Sequence, residues 1–351
     1  MLNYSQHTIR DSASAHQALK LLDELPENVS RTLFVINPEN QVVGSLSDGD
    51  IRRGLLKGLE ISEPVNIFMH VNFQFVNSKK DVVEQIKFFN DQNVNLIPLL
   101  DEQFKILQLL DLRITKTILP ITALLMAGGR GERLKPYTDT IPKPMLLVGN
   151  KPILEHNIDR LISFGVNDIY ISVKYLKNQI MDYFQDGSAK GVKITYIEEN
   201  NSLGTIGALS LIKEVNNEDI LVMNSDLLTN IDFEDFFNFF KEEDADMALA
   251  SIPYVVNIPY AVLETKLQIV SSFAEKPSYT YYSNGGIYLL KSNLKKFCRY
   301  DEFMNATDLM DVVLKDDNQK LVHYPLLSYW LDIGKHEDFI KAQGDFKHIK
   351  L

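Results

Sequence analysis

Between Leu124 and Met145 the chain reads LLMAGGRGERLKPYTDTIPKPM, an apolar run that empties into Gly128, Gly129 and Gly131. Glycines in such a loop leave room for backbone N–H groups to close around phosphate oxygens. Arg130, Arg133 and Lys143 add positive charge that could follow a phosphate chain through a reaction. No Gly-Lys-Ser/Thr follows, so this is not a P-loop, and the glycine spacing is wrong for a dinucleotide fingerprint. Taken alone, Gly-Gly-x-Gly is equally a plain turn. The added Arg133-Leu134, Pro136 and Pro142-Lys143-Pro144 favour phosphate chemistry.

These residues need elements to hold them. From Ile121 onward, strands alternate with helices, the pattern of a largely parallel sheet covered on both faces. The spacing predicts strands at Ile121–Met126, Asp168–Val173, Lys193–Ile197 and Asp219–Met223. Helices are expected over Pro152–Phe164 and Lys177–Phe184, with another beginning at Ile206–Ile212. In such sheets ligands sit at the carboxyl ends of strands, where the Gly-rich loop and Asn224-Ser225-Asp226 both fall. Upstream, a fainter pattern occurs twice: a helix, two short strands, another helix. The first copy has Ala15–Leu25, Thr32–Ile36, Val42–Leu46 and a helix capped by Asp48-Gly49-Asp50. The second has Val82–Asn90, Asn95–Leu100 and Lys105–Leu110. A weak repeat of this length suggests a pseudo-symmetric domain, so the expected division is residues 1–117 (about 1–60 and 61–117) and 118–351.

A chain of 351 residues is long for one core. The net charge of −11 argues against nucleic-acid and acidic-lipid surfaces, though not against a small phosphate site. Cys298 is the only cysteine, which excludes an internal disulfide or a thiolate-rich metal site. No apolar run has signal-peptide or membrane-spanning character, so a cytoplasmic, non-membrane protein is expected.

The segment Leu124–Met145 resembles the signature of the sugar-1-phosphate nucleotidyltransferases. The resemblance runs to about Lys341, through ENNSLGTIGAL at Glu199–Leu209, Asn224-Ser225-Asp226, Pro259-Tyr260-Ala261-Val262, Glu275-Lys276-Pro277, Asn284-Gly285-Gly286-Ile287-Tyr288 and Trp330-Leu331-Asp332-Ile333-Gly334. It implies a Rossmann-like (GT-A-like) mixed α/β sheet with helices on both faces. It further implies transfer of a nucleotide from a nucleoside triphosphate to a hexose-1-phosphate, with Mg2+ on Asp226 and Asp332. Either aspartate by itself would pass for a cap or turn residue. By resemblance, Leu124, Ala127, Gly128, Gly129, Gly131, Arg133, Glu199, Gly204 and Thr205 bind nucleotide. Arg133, Lys143 and Asp226 serve catalysis, while Ala261, Glu275, Lys276, Asn284 and Gly286 meet the sugar phosphate. The bland alternatives are an exposed ion pair at Glu275-Lys276, a helix-start glycine at Gly204 and a turn at Asn284. Ala261 stands where relatives usually have Gly, which puts sugar identity in doubt, and Lys335 replaces a Thr.

The N-terminal repeat resembles a pair of cystathionine-β-synthase-type (CBS) motifs, most closely at Val43–Arg53, VGSLSDGDIRR. That likeness implies an adenine nucleotide on Ser47 and Asp50, unless both only cap the helix. The second copy lacks the matching Gly and Ser. The fusion resembles guanylyltransferases of legionaminic-acid-type pathways, which points to GTP and glucosamine-1-phosphate. Mannose-1-phosphate guanylyltransferase and hexose-1-phosphate uridylyl- or thymidylyltransferase compete with it. So does a non-catalytic nucleotide sensor or a scaffold, which the intact set Arg133, Lys143, Asp226 and Asp332 disfavours. A homodimer through stacked CBS pairs is expected.

Overall fold

The computed structural model describes residues 4–26 and 29–349. The chain divides into two compact units, one running to Leu119 and taking in Ser163–Gly165, the other beginning at Pro120.

The first unit repeats one β-α-β-β order. Strand β1 (Thr8–Arg10), helix α1 (Ala15–Glu24), β2 (Thr32–Ile36) and β3 (Val42–Ser47) lead into α2 (Asp48–Leu56). Then come β4 (Val76–Asn77), α3 (Val82–Asp91), β5 (Leu96–Leu100) and β6 (Ile106–Asp111). Each half is a three-stranded sheet, β1-β2-β3 or β4-β5-β6, whose first pair is parallel and second antiparallel. The short leading strands β1 and β4 have no periodic signal in sequence. No helix follows β6, contrary to the sequence expectation; Asp111 instead holds the Arg113 guanidinium, and Ile114 and Thr115 both donate to the Asp111 carbonyl in a turn. Ala15, Ala18 and Leu22, at helical spacing along α1, bury together with Leu33 and Val35 of β2 and with Leu46 and Ile51.

The second unit is built on a seven-stranded sheet, order β11-β10-β7-β12-β17-β14-β18. Its elements are β7 (Ile121–Ala127), a β8–β9 hairpin (Leu147–Val148, Lys151–Pro152), α4 (Ile153–Ser163), β10 (Asp168–Val173) and α5 (Lys177–Phe184). These are followed by β11 (Lys193–Glu198), β12 (Asp219–Asn224), β13 (Leu227–Thr229), α6 (Phe233–Glu242) and β14 (Met247–Asn257). The chain continues through β15 (Val262–Lys266), β16 (Ile269–Ala274), β17 (Ser278–Lys291), α7 (Ala306–Leu314), β18 (Leu321–Pro325), β19 (Trp330–Asp332) and α8 (His336–Asp345). Strands β11, β10, β7 and β12 pair in parallel, and β17 alone is reversed. Strand β7 lies in mid-sheet and is buried on both faces, which is why it reads as an unbroken apolar run. From β7 the chain goes outward to β10 and β11, then returns to β12 on the other flank. The switch point therefore lies between β7 and β12, and the Gly-rich loop and Asp226 open from their carboxyl ends.

The helix expected from Ile206 is a 3-10 turn, Gly207–Leu211. The N–H groups of Ile206 and Gly207 both donate to the Met304 carbonyl, at 3.1 and 3.2 Å, and so anchor the segment sideways rather than starting an α-helical ladder. Helix α6 buries Phe233, Phe236 and Phe240 completely or nearly so on one stripe. It is capped by Asp232, whose carboxylate accepts from the N–H groups of Glu234 and Asp235.

Candidate active site

Two short strands bring distant carboxylates together. Strand β13 pairs antiparallel with β19, placing Leu227 opposite Asp332, and Ile333 N donates to the Asp226 carbonyl at 3.1 Å. Asp226 and Asp332 are thereby neighbours. Between them lies Lys143, buried in a 3-10 turn (Lys143–Met145). Its Nζ donates to Asp226 Oδ2 and stands 3.8 Å from Asp332 Oδ1. The other Asp226 oxygen, Oδ1, and Asp332 Oδ1 are buried without a hydrogen-bond partner. Burial, and then the neighbouring Asp226 charge, push the Asp332 carboxyl above the usual aspartate range against the opposing pull of Lys143 and Arg133.

The loop geometry follows from its glycines. Gly131 has a φ of +67°, and a Cβ there would come within 3.0 Å of Lys143 Cβ and Thr138 Cγ2. Thr138 Oγ1 donates to the Gly131 carbonyl at 2.8 Å, fastening the turn. Arg133 is exposed, with its guanidinium next to Gly334 of the Trp-Leu-Asp-Ile-Gly segment. Arg130 is exposed too, paired with Glu132 at 3.2 Å and lying over the Tyr175 ring.

Helix α4 holds the aspartate from behind. Buried Asn157 donates through Nδ2 to the carbonyls of Ser225 (3.3 Å) and Leu227 (3.0 Å), the residues on either side of Asp226. One turn on, the guanidinium of Arg160 donates to the Ile231 carbonyl, and burial draws its pKa down to about 10. Ser225 Oγ donates to the Met126 carbonyl at 2.6 Å, tying β12 to the end of β7.

Two adjoining cavities share Gly129 and Asp226. The larger, about 300 Å³, is lined by Met126, Gly128, Glu199, Ser202, Gly204, Thr205 and Asn224, and has no cation in its wall. The smaller, about 210 Å³, is lined by Gly131, Glu132, Arg133, Lys143 and Gly334. Glu199 braces the larger one: its carboxylate accepts from Ser172 Oγ and from Leu203 N. Thr205 Oγ1 accepts from Ala306 N at 2.8 Å and so caps α7 as well. Gly204, at φ +77°, lies where a Cβ would stand 2.5 Å from the Met304 carbonyl oxygen.

A nucleotidyl transferase family model matches residues 122–348. The chain belongs to that family. Among relatives, it is 29% identical over 230 residues to a mannose-1-phosphate guanylyltransferase of Mycobacterium tuberculosis, covering 64% of each. It is 29% identical over 228 residues to a mannose-1-phosphate guanyltransferase of Debaryomyces hansenii, covering 62% of each. The chain thus spans a little under two thirds of the length of the curated relatives it matches. Among solved structures, HddC from Yersinia pseudotuberculosis aligns with a TM-score of 0.51 at 28% identity, over 64% of this chain and 99% of that one. A putative glucose-1-phosphate thymidylyltransferase from Bacillus anthracis shares the fold, with a TM-score of 0.54 at 23% identity over 66% and 97%.

Within this nucleotidyl transferase domain, Gly128, Gly129, Gly131, Arg133, Lys143, Glu199, Gly204, Thr205 and Asp226 all line one or both cavities, and Asp332, in the lining of neither, stands 3.8 Å from Lys143 Nζ. Leu124 and Ala127 are buried in β7 and line neither, while Met126, the strand's last side chain of Leu124's parity, does. Asn284 Oδ1 accepts from Gly286 N and the Tyr288 hydroxyl, and Gly286 stands beside the Asn224 amide. Ala261, Glu275 and Lys276 are exposed and line neither cavity. Sequence reasoning did not select Asn224, although it lies in the quoted Asn-Ser-Asp run. It also passed over Ser202 and the supporting Asn157, which carries no motif.

Two outcomes are expected. Asn157→Ala strands two buried carbonyls and should cost about 1–3 kcal/mol by urea denaturation; a cost of zero would mean that α4 does not hold the Asp226 segment. The raised Asp332 carboxyl binds its proton more tightly in the folded chain than in the unfolded one, so ionising it costs stability as pH rises through the folded value. Asp332→Asn should therefore melt higher than the unsubstituted chain at neutral pH, with the gap closing below about pH 4. An equal or lower Tm at neutral pH would contradict this.

Proposed function

We propose that the protein transfers a nucleoside monophosphate from GTP to glucosamine-1-phosphate, releasing pyrophosphate and a nucleotide sugar. The observation that carries the transfer chemistry is Lys143 held between Asp226 and Asp332 at the switch point, beside a glycine-built loop; GTP and glucosamine-1-phosphate rest on the chain's resemblance to guanylyltransferases of legionaminic-acid-type pathways. A sugar phosphate attacking the α-phosphorus brings two anions together, so electrostatic positioning must supply most of the catalysis. The smaller, cation-lined cavity suits the phosphate chain, and the larger, cation-free one suits the nucleoside and sugar. Arg133 would bind the outer phosphates. Lys143, set in position by its carboxylate partners, would meet charge building at the α-phosphate.

The donor set fits Mg2+. Two carboxylate oxygens, Oδ1 of Asp226 and Oδ1 of Asp332, are buried without hydrogen-bond partners, and hard oxygen donors of this kind suit a divalent cation. Asp226 and Asp332 would hold the ion, which would neutralise charge on the phosphates. Among the described residues no three His, Cys, Asp or Glu side chains stand close enough to hold a metal ion by themselves, so substrate and water oxygens would complete the shell.

Mannose-1-phosphate as acceptor is the second reading, favoured by the names of the Mycobacterium and Debaryomyces relatives. The HddC structure complexed with GMP-PN, 27% identical with a TM-score of 0.50, is consistent with a guanine donor under either reading. Purified protein should be incubated with Mg2+, each of five nucleoside triphosphates and a panel of hexose-1-phosphates, with released pyrophosphate as the readout. GTP with glucosamine-1-phosphate should react fastest. Faster turnover of mannose-1-phosphate would transfer the assignment, and silence with every pair would sink the enzyme reading. Lys143→Ala should lower kcat by about 10²–10³-fold; a change confined to KM would make it a ground-state contact.

The N-terminal unit we assign as a paired CBS module that reads an adenine nucleotide. Its double β-α-β-β order and the VGSLSDGDIRR segment support this. Ser47 and Asp50 already form a complete capping box at α2. Ser47 N donates to Asp50 Oδ2 at 2.8 Å, Asp50 N to Ser47 Oγ at 3.3 Å, and Arg53 pairs with the second carboxylate oxygen. Burial pushes the Asp50 pKa up, and these hydrogen bonds more than offset it, leaving it below the usual range. A ligand must compete with that box, so regulation requires preference for one state. ATP or AMP should alter the kinetics of the full chain, and Ser47→Ala should abolish the response. Kinetics indifferent to both nucleotides would reject the regulatory role.

A further inference from the structure

The smaller cavity has no net positive charge in its wall. Glu132, Arg133, Lys143 and Asp226 are its charged lining residues, and their charges cancel. A site that takes the phosphate chain of a triphosphate gains from cations beyond that balance. Two more stand at the rim, and both are paired with Glu132: Arg130 Nε at 3.2 Å and Lys135 Nζ at 2.7 Å. Arg130 has a second support, because its guanidinium lies over the Tyr175 ring, 5.3 Å from the centroid.

Tyr175 comes two residues after the end of β10 and grips the far side of the same loop. Its hydroxyl stands 3.0 Å from the carbonyl oxygens of both Thr138 and Asp139. Gln179 of α5 donates through Nε2 to the next carbonyl, that of Thr140, at 2.8 Å. Thr138 in turn fastens the Gly131 carbonyl. One side chain therefore holds the return of the glycine loop through its hydroxyl and underlies Arg130 through its ring. The next residue, Leu176, has a φ of +49°, a left-handed backbone uncommon for a bulky side chain, so the corner that carries the ring is fixed by its surroundings.

We infer that Arg130 is a second contact for the outer phosphates and that Tyr175 is the positioning residue that aims it. This rests on the reading of the smaller cavity as the phosphate site. A phosphate chain competes with Glu132 for the guanidinium, whose planar fork matches phosphate oxygens, while the ring beneath keeps the arm at the cavity's rim.

Calorimetric titration of the full chain with pyrophosphate and Mg2+ tests this without turnover. It involves neither base nor sugar, so it stands whichever substrates the protein takes. Arg130→Met, a change at an exposed side chain, should weaken binding by about tenfold or more. Tyr175→Leu should weaken it by about two- to fivefold. Tyr175→Phe, which keeps the ring but frees it from the Thr138 and Asp139 carbonyls, should cost less. In the Arg130→Met background neither change at Tyr175 should add to the loss. That non-additivity separates aiming from a merely structural role, and the KM for the sugar phosphate should not move. Arg130→Met and Tyr175→Phe complete the cycle should Tyr175→Leu not fold. Equal losses at Tyr175 in both backgrounds would overturn the inference. So would binding that is lost in Arg133→Met yet indifferent to Arg130→Met, an outcome that leaves the cavity reading intact. No binding by the unsubstituted chain would take both readings down.

Discussion

Two carboxylates and an ammonium group share one partly buried space, in which Lys143 is the most enclosed and Asp332 the most open to water. Asp226 and Asp332 repel each other, and one oxygen of each is cut off from water. Lys143 offsets the repulsion, but it contacts one carboxylate directly and reaches the other only at 3.8 Å. Two carboxylate oxygens are left buried and unpartnered. Such an arrangement persists only where covalent and backbone constraints hold it, because removing solvent from charges costs more than imperfect pairing returns. The β13–β19 ladder, the Asn157 bridge and the Gly131 turn are those constraints. A divalent cation and anionic substrates would relieve the imbalance, which is the expected character of a site prepared for a charged transition state.

The sheet supplies the rest. Because β7 and β12 are adjacent but the chain reaches β12 only after visiting β10 and β11, their carboxyl ends diverge into separate loops. The glycine loop leaves one, the Asn-Ser-Asp segment the other, and the cavity lies between. The Gly204 segment reaches the same cavity from beyond β11, anchored through the Met304 carbonyl and the start of α7. Helices α4 and α7 therefore act from behind the site without touching it.

The sequence by itself determined the βαβ alternation from Ile121 onward, the glycine loop, and the identity of most of the cavity wall. These features are local: an apolar run buried on both faces, a glycine whose φ admits no side chain, a lysine in a Pro-flanked turn. Strand β17, reversed in mid-sheet, was not legible, since pairing partners far apart in the chain leave no periodic trace. The turn at Gly207 misled for a similar reason: its N–H groups bond to Met304, which no local pattern announces. Tertiary structure alone decided that Asp226 and Asp332 meet, that Asn157 brackets the aspartate, and that Glu275 and Lys276 stand exposed outside the cavities. Residue type and spacing encode what one segment can do. Which segments share a site is set by the topology of the sheet, a property of long-range pairing.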